Sequence, residues 1–443
     1  MKIPVKRFIA VILLLFLPVT VKAEVKEYAL PNGLKVLLVE NHNAPIATFQ
    51  IWYRVGSMYE QIGKTGMSHL LEHMMFKGTK MHGPKTFSRI IQRNGGVDNA
   101  FTTKDYTMYY QKLASDRINI SLDLESDRMA NLLIDPKDFS SEKKVVMEER
   151  RMRYEDDPQN LVYEAVLAAA FENHPYRWPV IGWMSDIASI KRDELYNYYR
   201  TYYAPDNAVI VIAGDIKTDR IMKDIEDTFG KIKRGADVKT PVIEEPGQLG
   251  KREVFVKKEA ELPYFLSAYH VPDLPSKDGY ALDVLATILA GGKSSRFYKS
   301  LVYEKQIALG ADAGYDGLHK NPFLFFLSAT AAPDKSIEEV RKALYEEVDR
   351  IKKEPPTGRE LQRAKNQIET SFIMGEDSIF FQAEILGTYE MIGDWHYKDE
   401  YLKGIRAVTS DDVMGVARRY LVDDNMTMGI LIPQRIKAIG DQG

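Results

Sequence analysis

The chain has no cysteine among its 443 residues. No disulfide framework is available, and no thiolate can serve as metal ligand or nucleophile. Any metal must therefore be held by histidine and carboxylate. An excess of one charge is also lacking: 60 Lys and Arg stand against 63 Asp and Glu, a formal net charge of −3. That balance argues against nucleic-acid binding as the main task. Long apolar runs are missing too. The run from Phe8 to about Val19 falls short of the ~18 residues that a spanning helix needs. Lys2, Lys6 and Arg7 precede it and Val21-Lys22-Ala23 follows, so residues 1–23 read as a secretory signal. Cleavage is expected after Ala23, giving a periplasmic or secreted mature chain with no stable membrane span.

What is present concentrates in His69-Leu70-Leu71-Glu72-His73. Positions 69 and 73 are four apart, so on a helix their imidazoles stack on one face and can bind one ion. Glu72, three residues from His69 and adjacent to His73, can point at the same ion's open side and there take a proton from a metal-bound water. The order H-x-x-E-H inverts the common zinc-protease motif and is the inverzincin signature. Zn²⁺ is the leading ion for a set of two histidines and a glutamate. A histidine-bearing amphipathic face is the competing reading of these five residues alone.

The length allows two to four domains. Tyr28 to Val39 reads as a hairpin around Asn32-Gly33, a type I′ turn signal. A strand at Ala47–Val55 leads to the motif helix, and a second helix runs from Pro84 to Arg93. Two strands follow around Thr103-Lys104-Asp105, then amphipathic helices at Ile118–Leu133 and from Ser140, capped by Ser140 or Ser141. Asn207–Ala213 is a buried strand. Periodicity then lapses through 237–250, rich in Gly, Pro and charge, which reads as a linker.

Beyond the linker the order restarts, with strands at Tyr264–His270, Ala308–Tyr315, Phe323–Thr330 and Asn425–Ile432. The expected fold is α+β, two homologous units of roughly 200 residues, each a mostly antiparallel sheet covered by helices. They span 24–236, carrying the motif, and 251–443. Sliding Gly291-Gly292 onto Gly78-Thr79 sets Leu282, Leu285 and Ala286 opposite His69, Glu72 and His73. The second unit repeats the scaffold without the ligands.

A catalytic zinc site needs a third protein ligand. The helix Ser141–Arg150 supplies Glu142 and Glu149, seven apart and able to face one side, while Glu148 lies about 100° round and should be solvated. The residues alone leave the choice open.

Over essentially the whole mature chain the sequence resembles the pitrilysin and mitochondrial processing peptidase family of zinc proteases. The resemblance rests on the Asn32-Gly33 hairpin, VGSMYEQIGKTGMSHLLEHMMFKGT, Gly95-Gly96-Val97-Asp98-Asn99-Ala100-Phe101-Thr102 and the SSRFY segment at 294–298. Glu149 lies 76 residues past His73, the family's spacing for a third ligand. The resemblance implies that His69, His73 and Glu149 bind one Zn²⁺, that Glu72 is the base and that Glu142 supports from behind. It also implies that Asn99, Ala100 and Phe101 form an edge to which a peptide substrate adds as a strand. The expected activity is a zinc metalloendopeptidase acting on peptides or unfolded segments. The rival reading is a non-catalytic assembly subunit of the same fold, which would not need Glu72.

One departure bears on partners. Many family members carry an Arg and a Tyr seven apart in the second half, where this chain has Val302 and Leu309; Tyr303 and Tyr315 are near but out of register. With two of the four units that enclose a peptide in this family, the chain is expected to pair with a paralogue lacking H-x-x-E-H. A homodimer is the second choice. Histidines 42, 82, 174, 270, 319 and 396 read as ordinary, and the tyrosines of 196–203 as helix-face packing.

Overall fold

Alternating and continuous apolar runs become strands throughout the computed structural model, which describes residues 24–434. The segment 1–23 read as a signal lies outside the described residues. The first sheet uses β1 (Val25–Ala29), β2 (Lys35–Glu40), β3 (Ile46–Tyr53), β4 (Val97–Thr102), β5 (Thr107–Ala114) and β6 (Ala208–Gly214). The second uses β7 (Arg252–Glu259), β8 (Tyr264–Val271), β9 (Ala308–Tyr315), β10 (Phe323–Ala331) and β11 (Met426–Gln434). Their orders are β1-β2-β6-β3-β5-β4 and β7-β11-β8-β10-β9. With β1 set aside, the same permutation occurs twice, and in each sheet one pair is parallel: β2 with β6, and β7 with β11. The duplicated α+β architecture is therefore present. β7 escapes a reading by apolar runs because charged residues flank its Val-Phe-Val centre and alternate positions are exposed, as befits an edge strand.

Two local expectations are corrected. The first hairpin forms with Ala29 opposite Lys35, but its turn is not type I′. Pro31 fixes φ near −65°, so the turn starts at Leu30. Gly33 N–H donates to Leu30 O at 2.9 Å, and Gly33 sits at φ +90°. The helix expected from Ser140 begins earlier, because Asp135 caps it by accepting from Lys137 N and Asp138 N ahead of Pro136.

Helices α1 (Met67–Met74), α2 (Thr86–Arg93), α3 (Asn119–Asn131) and α4 (Pro136–Arg150) cover one face of the first sheet. Tyr199 and Tyr203 are buried in this core, and the Tyr199 hydroxyl donates to Met129 O at 2.7 Å. In the second unit Leu282, Leu285 and Ala286 are all buried in a separate core, where the motif's counterparts were expected.

The remaining sheet faces are covered by exchange. Helix α5 (Pro158–Ala170) lies across β7, β8 and β11 of the second sheet. It approaches so closely that a Cβ at Gly429 would sit 2.6 Å from Val166 and 2.7 Å from Val162. Conversely, the helix Ile379–Ile392 covers Leu37, Trp52, Val209 and Val211 of the first sheet with Ala383 and Leu386. Ion pairs reinforce that contact: Glu390 meets Lys35 at 2.9 Å and Arg54 at 2.8 Å. Among the described residues no helix is long and apolar enough to cross a membrane.

Candidate active site

The motif helix α1 starts without a capping side chain of its own. Gly66 precedes it at φ +89°, and a Cβ there would lie 2.5 Å from Ile181 O, so only glycine fits. The cap comes from upstream: Glu60 accepts from Gly66 N and Ser68 N, both at 2.7 Å. Burial pushes the Glu60 carboxyl up to about 8, against those two bonds. The sequence reading gave Glu60 no role; its place six residues before a glycine that opens the motif helix was the available signal.

From this fixed start α1 presents His69 and His73 on one face, ring centroids 4.8 Å apart. Glu149, near the end of α4, completes the group. Its Oε2 lies 3.3 Å from His73 Nε2 and 3.9 Å from His69 Nε2, and ligand atoms of the three residues all fall within 4.8 Å of one another. Glu142, one turn pair earlier on α4, sits behind the group. His73 Nδ1 and Glu142 Oε1 are 3.0 Å apart, and Lys77 Nζ is 2.5 Å from Glu142 Oε2. α4 then runs into a wider turn at Arg151–Glu155, which brings Arg153 Nε within 2.9 Å of Glu149 Oε1.

Electrostatics differentiate the histidines. Burial, aided by the neighbouring His73, lowers His69 to about 4, so its imidazole is neutral. Burial opposes a proton on His73 as well, but the bonds to Glu142 and Glu149 prevail and raise it to about 9. Its bond to His73 holds Glu149 below the usual carboxylate range. A cation held here by His73 Nε2 would take the place of its proton, so binding would release one. The buried Nδ1 of His69 has no hydrogen-bond partner, and Glu142 holds the Nδ1 edge of His73. The Nε2 atoms of both histidines and a carboxylate oxygen of Glu149, which already meets His73 Nε2, thus converge as a His₂Glu donor set, which fits zinc.

Glu72 occupies the same cleft, about 370 Å³ in volume and lined also by Asn99–Thr102, Tyr154, Val180 and Ile181. Burial raises its carboxyl. Thr102 Oγ1 donates to Glu72 Oε2 at 2.6 Å, tying Glu72 to the last residue of β4. Among the described strands β4 pairs with β5 alone and is the sheet edge; no second strand pairs with Asn99, Ala100 and Phe101, and Ala100 N–H donates to Asn99 Oδ1 at 2.9 Å. Phe101 packs edge-on against Trp52, 6.2 Å between centroids.

Two profiles match in sequence: "Insulinase (Peptidase family M16)" over residues 35–182 and "Peptidase M16 inactive domain" over 189–368. "Zinc protease PqqE" of Helicobacter pylori is 31% identical over 408 residues, covering 91% of this chain and 92% of that one. The chain belongs to peptidase family M16. A further M16 relative, the "Probable mitochondrial-processing peptidase subunit beta" of Arabidopsis thaliana, is 26% identical and covers 93% of this chain and 78% of its own. In structure, the crystal structure of a protease from Helicobacter pylori superposes with TM-score 0.90 at 31% identity, covering 93% of this chain and all of that one.

The second-half residues of this M16 chain are placed as follows. Val302 packs against the second core, while Leu309 on β9 is exposed. Tyr315 donates its hydroxyl to Pro272 O at 2.8 Å and is thereby committed locally. Tyr303 is 71% exposed. The aligned positions therefore offer no cationic or phenolic group toward the cleft.

Proposed function

We propose that the chain is a zinc-dependent endopeptidase of peptides or unfolded segments. The observation that carries this is the convergence of His69, His73 and Glu149 in one cleft with Glu72, which Thr102 ties to an open sheet edge. His69, His73 and Glu149 would hold the ion, and Glu142 fixes the orientation of His73. Zinc, when bound, supplies a Lewis acid that lowers the pKa of water toward ~7 and polarises a carbonyl. Glu72 takes the proton of the attacking water and returns it to the leaving amine; burial, by raising its carboxyl, suits it to both transfers. The outer edge of β4 binds substrate backbone, so selection among substrates rests on the pockets beside it.

Substituting Glu72→Gln should leave zinc content unchanged and abolish hydrolysis of a quenched fluorescent peptide; retained turnover would remove Glu72 as the base. We further propose export through residues 1–23 and a catalytic role within a heterodimer whose partner supplies the donors absent at Val302 and Leu309. Such donors are worth several kcal/mol in comparable sites. The solitary chain should then be at least tenfold less active than a complex co-expressed with a paralogue lacking H-x-x-E-H. Equal activity from the chain alone would favour a homodimer.

A further inference from the structure

His319 was read from sequence as an ordinary residue. In the structure it is a buried histidine from the second unit, inserted into the first. Its Nδ1 is 3.1 Å from Asp105 Oδ2 and its Nε2 is 3.0 Å from Asp316 Oδ2, so both ring nitrogens face carboxylates. Asp105 lies in the turn joining β4 to β5, and its other oxygen accepts from the Tyr176 hydroxyl at 2.5 Å. The second unit adds a backbone bond to the same group, with Asn321 N 3.3 Å from the Tyr176 hydroxyl.

The turn that Asp105 anchors leads directly to the cleft. Thr103 Oγ1 accepts from Asp105 N and Tyr106 N, and Thr102, next in line, holds Glu72. Ser57 N and Met58 N donate to Thr103 O and Lys104 O. The buried Lys104 ammonium donates to Tyr176 O at 2.8 Å and Trp178 O at 3.0 Å. That loop continues to Val180 and Ile181, which line the cleft on its other side. One carboxylate thus joins both walls of the cleft, and its charged partner comes from the other unit.

We propose that His319 is a positioning residue for Glu72, acting through Asp105 and the β4–β5 turn. The second unit thereby sets the catalytic geometry of the first without touching substrate. Loss of His319 leaves the buried Asp105 carboxylate with only the Tyr176 hydroxyl and Lys320 N–H as hydrogen-bond donors and without its imidazolium, and the turn moves to relieve it. This rests on Glu72 being the base, so its test includes a readout that does not depend on turnover.

The experiment compares His319→Ala, His319→Gln and Asp105→Asn with Glu390→Gln, a control that breaks a different contact between the units, the ion pairs to Lys35 and Arg54. The full chain is loaded with zinc and assayed in its active complex, and amide exchange is followed by mass spectrometry. His319→Ala should lower kcat at least tenfold with KM within threefold and zinc content unchanged. Exchange should quicken in the segments containing Ser57, Met58 and Tyr106. His319→Gln, which retains one donor, should recover most of the activity, and Asp105→Asn should resemble His319→Ala. Glu390→Gln should lower the melting temperature without either effect. Faster exchange confined to residues 316–321, or a kcat loss equalled by Glu390→Gln, would overturn the proposal. Absence of any Glu72-dependent hydrolysis in the wild type would instead sink the functional reading, and the exchange data would still decide whether His319 holds the turn. Should His319→Ala fail to fold, His319→Gln and Asp105→Asn carry the same comparison.

Discussion

A carboxylate at 3.0 Å from a histidine's distal nitrogen fixes which ring atom remains free to coordinate. That is the work of Glu142, and its own second oxygen is neutralised by Lys77. Such supporting groups commonly contribute about 10–100-fold in metal affinity. Glu142→Ala should therefore weaken zinc binding by that order, measured by competition with a chromophoric chelator, while far-ultraviolet circular dichroism stays unchanged. An affinity within twofold of wild type would show that His73 keeps its orientation without help. The grouping of His69, Glu72 and His73 was legible in the sequence because a helix converts spacing into a shared face. Glu142 and Glu149 were separable only through family resemblance, since seven residues put both on one side of α4. Glu60 and Thr102 were quoted within motifs without a role, because their partners are fixed by how a loop and a strand meet α1.

Elements show the same division between what periodicity encodes and what only packing decides. The order of strands within each sheet was not read, but most strands and the repeat followed from apolar patterns, and the second unit's lack of the motif side chains followed from aligning its glycines with those after α1. β7 did not, since an edge strand with charged flanks lacks an apolar run. The exchange of covering helices was equally invisible: an amphipathic face records that it is buried, not against which sheet. Gly387 tests the closeness of one such contact. In a helix interior alanine is favoured over glycine by about 1 kcal/mol. Yet a Cβ at this position would lie 2.2 Å from Trp52 Cε2, and overpacking typically costs about 1–3 kcal/mol. Gly387→Ala should lower the urea midpoint; a raised midpoint would mean that helix propensity outweighs the contact.

Across the whole molecule the two units are joined by charge as well as by apolar faces. Opposed by burial, the hydrogen bonds to Asp105 and Asp316 raise His319 to about 9 from an ordinary 6.5. A folded pKa above the unfolded one gives stability that is complete below about 6.5 and lost as pH climbs through about 9. Nearby Lys104, lowered by burial to about 8, favours folding as pH rises between there and its ordinary value. The informative quantity is thus the difference between wild type and His319→Gln. Their melting temperatures should differ by several degrees at pH 6 and converge near pH 10; a constant gap would show that the bond does not depend on the charged imidazole. The crossed helices carry a temporal consequence. β6 ends at Gly214, but the helix that seals the outer face of its sheet ends at Ile392. At roughly 5–20 residues per second, a ribosome leaves that face bare for on the order of 10–40 s. The outer face formed by Leu37, Trp52, Val209 and Val211 therefore lacks its covering helix until most of the second unit has been made.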